Sequence, residues 1–231
     1  MPRAGAMVNE SEAKQKLRDA ARARRAGAHV AAASDAAAAF ARHFTTVLET
    51  GICARKGAAI AGYWPIGDEF DVRPLLEALA GAGYDVALPR VAGRDRPLAF
   101  HRWRPGDALI AGTLIEGGLI EGALIEGGLG IGEPDPAVAA ELVPDIVIAP
   151  LLAFDAVGHR LGYGAGYYDR TLRALRAAGH VVAVGAAFAA QQVDHVPHGA
   201  HDEPLDWVVT EGGAMETAHR HMAKRHRGAR E

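Results

Sequence analysis

Apolar residues recur at helical spacing in two segments near the start of the chain. In the alanine-rich segment of residues 34–50, Phe40 and Phe44 lie on the same helical face, which predicts a helix with one buried side. The preceding segment, residues 11–28, contains good helix formers behind Ser11, a residue type that suits an N-cap. The pattern therefore predicts two N-terminal helices.

From about residue 57 onwards, short apolar runs alternate with segments of helical character. The predicted strands are GAAIAGYW, YDVALPRV, PLAFHRW, PDIVIAPLLAF, HVVAVGAAF and LDWVVT, and the predicted helices are DVRPLLEALAGAG and YYDRTLRALRAAG. Strands that alternate with helices predict the α/β class, with an open, mainly parallel sheet flanked by helices. In such sheets, ligands bind beyond the carboxyl ends of the strands.

The length of the chain, 231 residues, favours a single domain over residues 1–231. We expect flexible ends at residues 1–10 and about 212–231. Residues 112–130 contain the repeat LIEGGLIEGALIEGG, whose period of five matches neither a helix nor a strand. Because added loop length costs little entropy, we expect this repeat to form a surface insertion.

Charge and cysteine content narrow the classes of function. The chain has 25 basic and 28 acidic residues, a balance that argues against a nucleic-acid partner. Cys53 is the only cysteine, so no internal disulfide can form, which fits a reducing cytoplasm. No signal-peptide pattern is present and no apolar run approaches the roughly 20 residues that cross a bilayer. We therefore expect a cytoplasmic protein, monomeric and without a membrane partner.

The segment GHRLGYGAGYYDR, residues 158–170, places the alternating glycines Gly162, Gly164 and Gly166 between a predicted strand and a predicted helix. Glycine allows backbone N–H groups to approach an anion, and a helix N-terminus adds positive potential. Arg160 and Arg170 can reach phosphate oxygens, and the carboxylate of Asp169 suits Mg²⁺. The spacing fits neither the Walker A nor the dinucleotide pattern, so the residues alone leave open a tight turn or a phosphate-binding loop.

Several motifs occur together in one order along the chain. They are a helix with Lys14, Leu17 and Arg18, followed by YWPIGDEFD, WRPGDAL, GIGEP, PDIVIAPLLAFD, LGYGAGYYDRTL and HDEPLDWVVT. This series resembles the 5-formyltetrahydrofolate cyclo-ligase family over roughly residues 14–210. The chain departs from the family pattern where the repeat lengthens the link between WRPGDAL and GIGEP. Tyr163 stands at a variable position of the family, so the resemblance gives its side chain no chemical role.

The resemblance implies MgATP-dependent conversion of 5-formyltetrahydrofolate to 5,10-methenyltetrahydrofolate through a phosphorylated formyl intermediate, with ADP and phosphate released and no covalent nucleophile. The residues that it places at ATP are Lys14, Arg18, Arg160, Leu161, Gly162, Tyr163, Gly164, Ala165, Gly166, Tyr167 and Tyr168. It places Mg²⁺ at Asp169 and Asp202, and the pterin-bearing substrate at Trp64, Glu69 and Tyr167. Which of Tyr167 and Tyr168 packs in the core stays open.

Two other functions are compatible with the class of fold. A sugar-phosphate isomerase or a CoA-transferase relative would need phosphate recognition without ATP, together with a catalytic base near the substrate carbon. A regulatory module would bind a nucleotide without turnover. Asp169 beside the glycines favours the cyclo-ligase over the first alternative, and Glu69 with Trp64 favours it over the second.

Overall fold

The computed structural model describes residues 4–32, 35–111 and 132–222. The expected insertion at residues 112–130 lies outside the described residues. The helices are α1 (Ala4–Ala31), α2 (Ala36–Thr46), α3 (Arg73–Gly81) and α4 (Tyr167–Ala178), and a π-helical segment, Val47–Ile52, continues α2. The strands are β1 (Ala59–Ala61), β2 (Asp85–Arg90), β3 (Ala99–Arg102), β4 (Leu109–Ala111), β5 (Gly132–Pro134), β6 (Ile146–Pro150), β7 (Ala153–Phe154), β8 (Arg160–Leu161), β9 (Val182–Ala186), β10 (Trp207–Thr210) and β11 (Gly213–Glu216).

In the described part of the chain, seven strands form one sheet in the order β11-β10-β9-β6-β1-β2-β3. The neighbours from β10 to β2 run parallel, and only the edge strands β11 and β3 pair antiparallel. Two further ladders, β4 with β5 and β7 with β8, stand apart from this sheet. The predicted α/β class, with an open, mainly parallel sheet and two N-terminal helices, is confirmed.

The central strand β6 explains why its sequence is a nearly continuous apolar run. Successive side chains of a strand point to opposite faces, so a strand covered on both faces needs apolar residues throughout. Ile146 and Ile148 pack in one cluster with Phe40 and Phe44 of α2. Val147, between them, packs on the other face in a second cluster that includes Leu172 of α4. Both faces of the sheet are therefore covered around β6.

The helix α1 begins before the predicted N-cap, because Ser11 lies inside it. The residues ahead of Ser11 contain alanine, methionine and glutamate, which tolerate a helix, and Glu10 forms an ion pair with Lys14 one turn later at 2.8 Å. Helix α1 therefore starts within the segment 1–10, for which flexibility stays a prediction.

The segment from about residue 212, for which flexibility stays a prediction, also contains secondary structure. Residues 213–216 form β11, which pairs antiparallel with β10 through a two-residue turn at Glu211 and Gly212. Without this strand, β10 would present a row of unpaired backbone groups at the edge of the sheet. A short, polar sequence gives little hydrophobic signal for such a strand. Among the described residues, none of the helices is long and apolar enough to cross a membrane.

Deletion of the repeat tests whether the sheet folds without it. Ala111 and Gly132 are paired in the β4–β5 ladder, so deleting residues 114–128 leaves a short connection between positions already held together. Because a shorter loop costs less closure entropy, we expect the deletion to stabilise the fold by about 1 kcal/mol or less. Calorimetry should show the melting temperature raised by no more than about 4 °C.

Deletion of residues 132–134 provides the matched control, because it removes β5 itself and should lower the melting temperature. Loss of cooperative unfolding on deletion of residues 114–128 would contradict the interpretation of the repeat as a surface insertion.

Candidate functional site

One cavity of about 470 Å³ lies at the carboxyl ends of β1, β2 and β6. Every site residue predicted from the sequence lines this cavity. They are Lys14, Arg18, Trp64, Glu69, Arg160, Leu161, Gly162, Tyr163, Gly164, Ala165, Gly166, Tyr167, Tyr168, Asp169 and Asp202. The cavity therefore brings together motifs from α1, from the loop after β1, from the glycine loop and from the loop after β9.

The glycine loop, residues 162–166, connects β8 to α4. Gly164 and Gly166 have φ angles of +106° and +68°, which side chains with a Cβ rarely adopt. A Cβ at Gly164 would also stand 3.4 Å from the guanidinium carbon of Arg18, and one at Gly166 would stand 2.9 Å from Nη1 of Arg170. Glycine is therefore needed here for the backbone conformation, whereas a Cβ at Gly166 would only require the end of the flexible Arg170 side chain to shift.

The same two arginines bind the carbonyl groups of the loop. Nε of Arg18 donates to the carbonyl of Gly162 at 3.1 Å, and Nη2 of Arg170 donates to that of Ala165 at 2.8 Å. These bonds occupy the carbonyl oxygens of Gly162 and Ala165 and place two guanidinium groups beside the N-terminus of α4, which itself carries a partial positive charge. Such a loop suits an anionic ligand.

The two carboxylates predicted to bind metal are held on adjoining stretches of backbone. Oδ1 of Asp169 accepts from Nη2 of Arg160 at 2.8 Å and from the N–H of Glu203 at 3.0 Å. Asp202, the residue before Glu203, accepts from Nζ of Lys14 at 2.6 Å and from the N–H of Gly199 at 2.7 Å.

The Lys14–Asp202 ion pair fixes the charge of both partners. Burial opposes ionisation of Asp202, but the hydrogen bonds from Lys14 and Gly199 and the charge of Lys14 outweigh it, so the pKa of Asp202 lies below its ordinary value. Burial also opposes the charge of Lys14, and the bonds to Asp202 and Glu10 raise its pKa despite this cost.

Oxygen donors of this kind suit Mg²⁺, but they are few. In residues 4–32, 35–111 and 132–222, no group of three or more His, Cys, Asp or Glu side chains is arranged to hold a metal ion by itself. Asp169 and Asp202 fit an ion that takes its remaining ligands from water and from a bound phosphate chain, which is the arrangement that Mg²⁺ usually adopts.

Glu69 also lines the cavity, and this residue is 3% exposed. Its Oε2 accepts from the N–H of Ile66 at 2.9 Å, and its Oε1 accepts from the hydroxyl of Tyr163 at 2.6 Å. Burial raises the pKa of Glu69, and these two hydrogen bonds counteract part of that rise. The contact with Tyr163 was not predicted from the sequence.

Aromatic side chains also line or support the cavity. Trp64 meets Trp103 edge-on, with ring centroids 5.9 Å apart, and the guanidinium of Arg73 lies 5.6 Å from the Trp64 ring. The open question about the paired tyrosines is answered in part, because Tyr168 packs against the core cluster that contains Leu172. Burial raises the pKa of the Tyr168 phenol well above its usual range.

Sequence reasoning missed several residues that line or support the cavity. Glu133 of β5 lines it as a buried carboxylate, accepts from the N–H of Val91 at 3.2 Å and has a pKa raised by burial. Its place in the GIGEP motif was a signal that could have identified it. Arg25 supports the cavity through Tyr163 and Asp68, and its spacing of eleven residues from Lys14 puts both on one helical face.

These features define the class of open-sheet α/β proteins whose candidate ligand site lies beyond the carboxyl ends of the strands. Residues 10–211 match the model of the 5-formyltetrahydrofolate cyclo-ligase family. The chain belongs to this family.

Named relatives agree with this assignment. The chain is 33% identical over 162 residues to the 5-formyltetrahydrofolate cyclo-ligase of Mycolicibacterium smegmatis, covering 67% of this chain and 74% of the relative. It is 34% identical over 167 residues to the enzyme of the same name from Escherichia coli K12, covering 68% of this chain and 80% of the relative.

Solved structures of similar proteins have the same fold. The NMR structure of Aquifex aeolicus 5,10-methenyltetrahydrofolate synthetase aligns with a TM-score of 0.63 and 25% identity, covering 89% of this chain and 93% of that chain. A 5,10-methenyltetrahydrofolate synthetase from Mycoplasma pneumoniae aligns with a TM-score of 0.58 and 20% identity, covering 86% and 98%, and supports the fold alone.

The Lys14–Asp202 pair gives a prediction with a defined pH dependence. Since the pKa of Asp202 is depressed in the folded state, the pair contributes stability above the unfolded pKa of about 4, and this stability is lost as the pH falls through the folded pKa. For a pair that is partly exposed to solvent, Lys14→Met should reduce the free energy of unfolding by about 1 kcal/mol at pH 7.

Urea unfolding at a series of pH values measures this effect, and the difference between wild type and Lys14→Met should shrink as the pH is lowered towards about 3. Lys16→Met, at an exposed position of the same helix, is the matched control and should change little. A deficit that is independent of pH would contradict the assignment to the ion pair.

Proposed function

We propose that this protein catalyses the ATP- and Mg²⁺-dependent cyclisation of 5-formyltetrahydrofolate to 5,10-methenyltetrahydrofolate, with release of ADP and phosphate. The observation that carries the proposal is that one cavity is lined by two kinds of residues. The glycine loop lines it together with the cations Lys14 and Arg18, and the buried Glu69 lines it together with Trp64. The names of the relatives support the same reaction.

The glycine loop is suited to bind the triphosphate. Its backbone N–H groups and the N-terminus of α4 would receive phosphate oxygens, and Lys14, Arg18 and Arg160 would neutralise their charge. Asp169 and Asp202 would hold Mg²⁺, which supplies further charge neutralisation when bound. Binding of MgATP would then exchange the existing Lys14–Asp202 and Arg160–Asp169 pairs for contacts of each charge with the ligand.

The Glu69 side of the cavity is suited to bind the pterin. A carboxylate can accept paired N–H bonds from one edge of a pterin ring, and Trp64 offers an aromatic surface against which a ring can pack. Each oxygen of Glu69 accepts one bond from the protein, which leaves acceptor positions for a ligand.

The reaction that the proposed triphosphate and pterin sites permit is a phosphoryl transfer followed by ring closure. The formyl oxygen attacks the γ-phosphorus and ADP departs, then N10 attacks the activated formyl carbon, and phosphate leaves with the former formyl oxygen as N10 gives up its proton. The protein contributes positioning and charge neutralisation, so no nucleophilic side chain is required. A monomeric state and a cytoplasmic location stay predictions.

A direct assay tests the proposed function. Purified protein mixed with 5-formyltetrahydrofolate and MgATP should produce the ultraviolet absorbance band of the methenyl product, and omission of ATP or Mg²⁺ should abolish it. Folded protein that binds ATP without forming the product would instead favour a nucleotide-binding module. Product formation without ATP would contradict the phosphoryl-transfer step.

The role proposed for Asp169 gives a second test. Asp169→Asn removes one carboxylate charge from the proposed metal site, so kcat/KM at limiting Mg²⁺ should fall by about a hundredfold, and the Mg²⁺ concentration for half-maximal rate should rise. Asp19→Asn, on an exposed part of α1, is the matched control and should behave as wild type. Wild-type Mg²⁺ dependence in Asp169→Asn would contradict the role in metal binding.

A further inference from the structure

We propose that Tyr163, held in place by Arg25, is a positioning residue that keeps Glu69 ionised and directs its free lone pairs into the cavity. The proposal rests on the function proposed above for the Glu69 side of the cavity. It concerns residues to which the resemblance gives no chemical role.

The geometry around Glu69 places one protein donor on each oxygen. The N–H of Ile66 donates to Oε2 at 2.9 Å and the hydroxyl of Tyr163 donates to Oε1 at 2.6 Å. An ionised carboxylate has about four acceptor positions, so two remain for N–H groups of a ligand. Because the Ile66 N–H and the Tyr163 hydroxyl both donate to the carboxylate, both stabilise the ionised form of Glu69.

Arg25 determines which way the Tyr163 hydroxyl points. Nη1 of Arg25 donates to the Tyr163 hydroxyl oxygen, and a guanidinium has donors only. The hydroxyl of Tyr163 therefore cannot donate to Arg25, and it donates its hydrogen bond to Glu69 instead. The guanidinium carbon also lies 5.3 Å from the centre of the Tyr163 ring, which limits rotation of the ring.

The arginine is itself fixed by a buried ion pair. Arg25 is 5% exposed, and its Nη2 donates to Oδ1 of Asp68, the residue before Glu69. A buried cation with two such partners is costly to move, because any displacement leaves a charge without a partner. Helix α1, the glycine loop and the loop after β1 are thus connected by one chain of hydrogen bonds that ends at Glu69.

The other charged and titratable groups around Glu69 act in known directions. Burial raises the pKa of Glu69, the bonds from Tyr163 and Ile66 and the charge of Arg25 lower it, and the charge of Asp68 raises it. Burial raises the pKa of the Tyr63 and Tyr168 phenols, and the charge of Glu69 raises both further, so the two phenols stay neutral. Removing the hydroxyl of Tyr163 takes away a group that favours the carboxylate, so the pKa of Glu69 must rise further.

The test is the titration of Glu69 in the ligand-free protein, followed by ¹³C NMR of the glutamate carboxyl groups, with Glu69→Gln to assign the signal. In Tyr163→Phe the midpoint of Glu69 should rise by about one pH unit, which is the effect of losing one hydrogen bond to a charged group. Tyr84→Phe, outside the cavity, is the matched control and should leave the midpoint unchanged. An unchanged midpoint in Tyr163→Phe would overturn the proposal.

A second variant guards against loss of folding, because Tyr163→Phe leaves Nη1 of Arg25 without its acceptor. Arg25→Gln retains a neutral donor towards Tyr163 and removes the charge, so it should also raise the midpoint, by less than Tyr163→Phe does. If both variants unfold, chemical substitution of Tyr163 by a fluorotyrosine, whose hydroxyl is a stronger donor, should lower the midpoint. An unchanged titration midpoint of Glu69 in the fluorotyrosine protein would overturn the proposal.

Kinetics separate this role from a purely structural one. In Tyr163→Phe the acidic limb of the kcat/KM profile for the folate should move to higher pH together with the NMR midpoint, and the loss at pH 7, about tenfold, should be mainly in KM. A loss in kcat with an unmoved limb would contradict a positioning role. Wild-type protein without cyclo-ligase activity would overturn the proposed function, whereas the ligand-free titration would still test Tyr163.

Discussion

Taking a charge out of water is costly, and the cavity of this protein holds cations and carboxylates that are largely shielded from solvent. The structure meets this constraint by pairing charges from distant parts of the chain. Lys14 of α1 pairs with Asp202 beyond β9, and Arg25 of the same helix pairs with Asp68 after β1. These pairs hold α1 across the strand ends, so the helix that supplies the cations also closes one side of the cavity.

The positions of these cations along α1 follow from helix geometry. Residues 14, 18 and 25 are separated by four and seven positions, which places them within about 40° of one another around the helix axis. Ala21, on the same face, is 2% exposed and packs with Leu152 and Leu161. A single face of α1 therefore combines a small apolar contact with three cations directed at the site.

Much of the fold could be predicted from the sequence because the buried elements have strong hydrophobic patterns. The run around Ile146–Pro150 is apolar on both faces, and the segment with Phe40 and Phe44 is apolar on one. The strands β4, β5, β8 and β11 escaped prediction, because two to four residues carry no detectable period, and β7 was predicted only as the end of one strand with β6. Their formation depends on the partner strand.

The candidate site could also be predicted only in part. Motifs identified the residues that line the cavity, because spacing and residue type are local properties of the chain. The partner of each residue is not local: the Tyr163 hydroxyl meets a carboxylate 94 positions away, and Lys14 meets one 188 positions away. Such contacts depend on how the sheet positions α1 and the loops. The contacts of Arg25 and Tyr163 could therefore be identified only from the structure.

The ladder of β4 and β5 has a consequence for building tools from this protein. Ala111 and Gly132 stand opposite each other in this ladder, and Glu133, immediately after Gly132, lines the cavity. A fluorescent reporter domain fused between these two positions would be linked directly to a wall of the ligand site. The β4–β5 ladder is thus a natural attachment point for an optical sensor of the ligand.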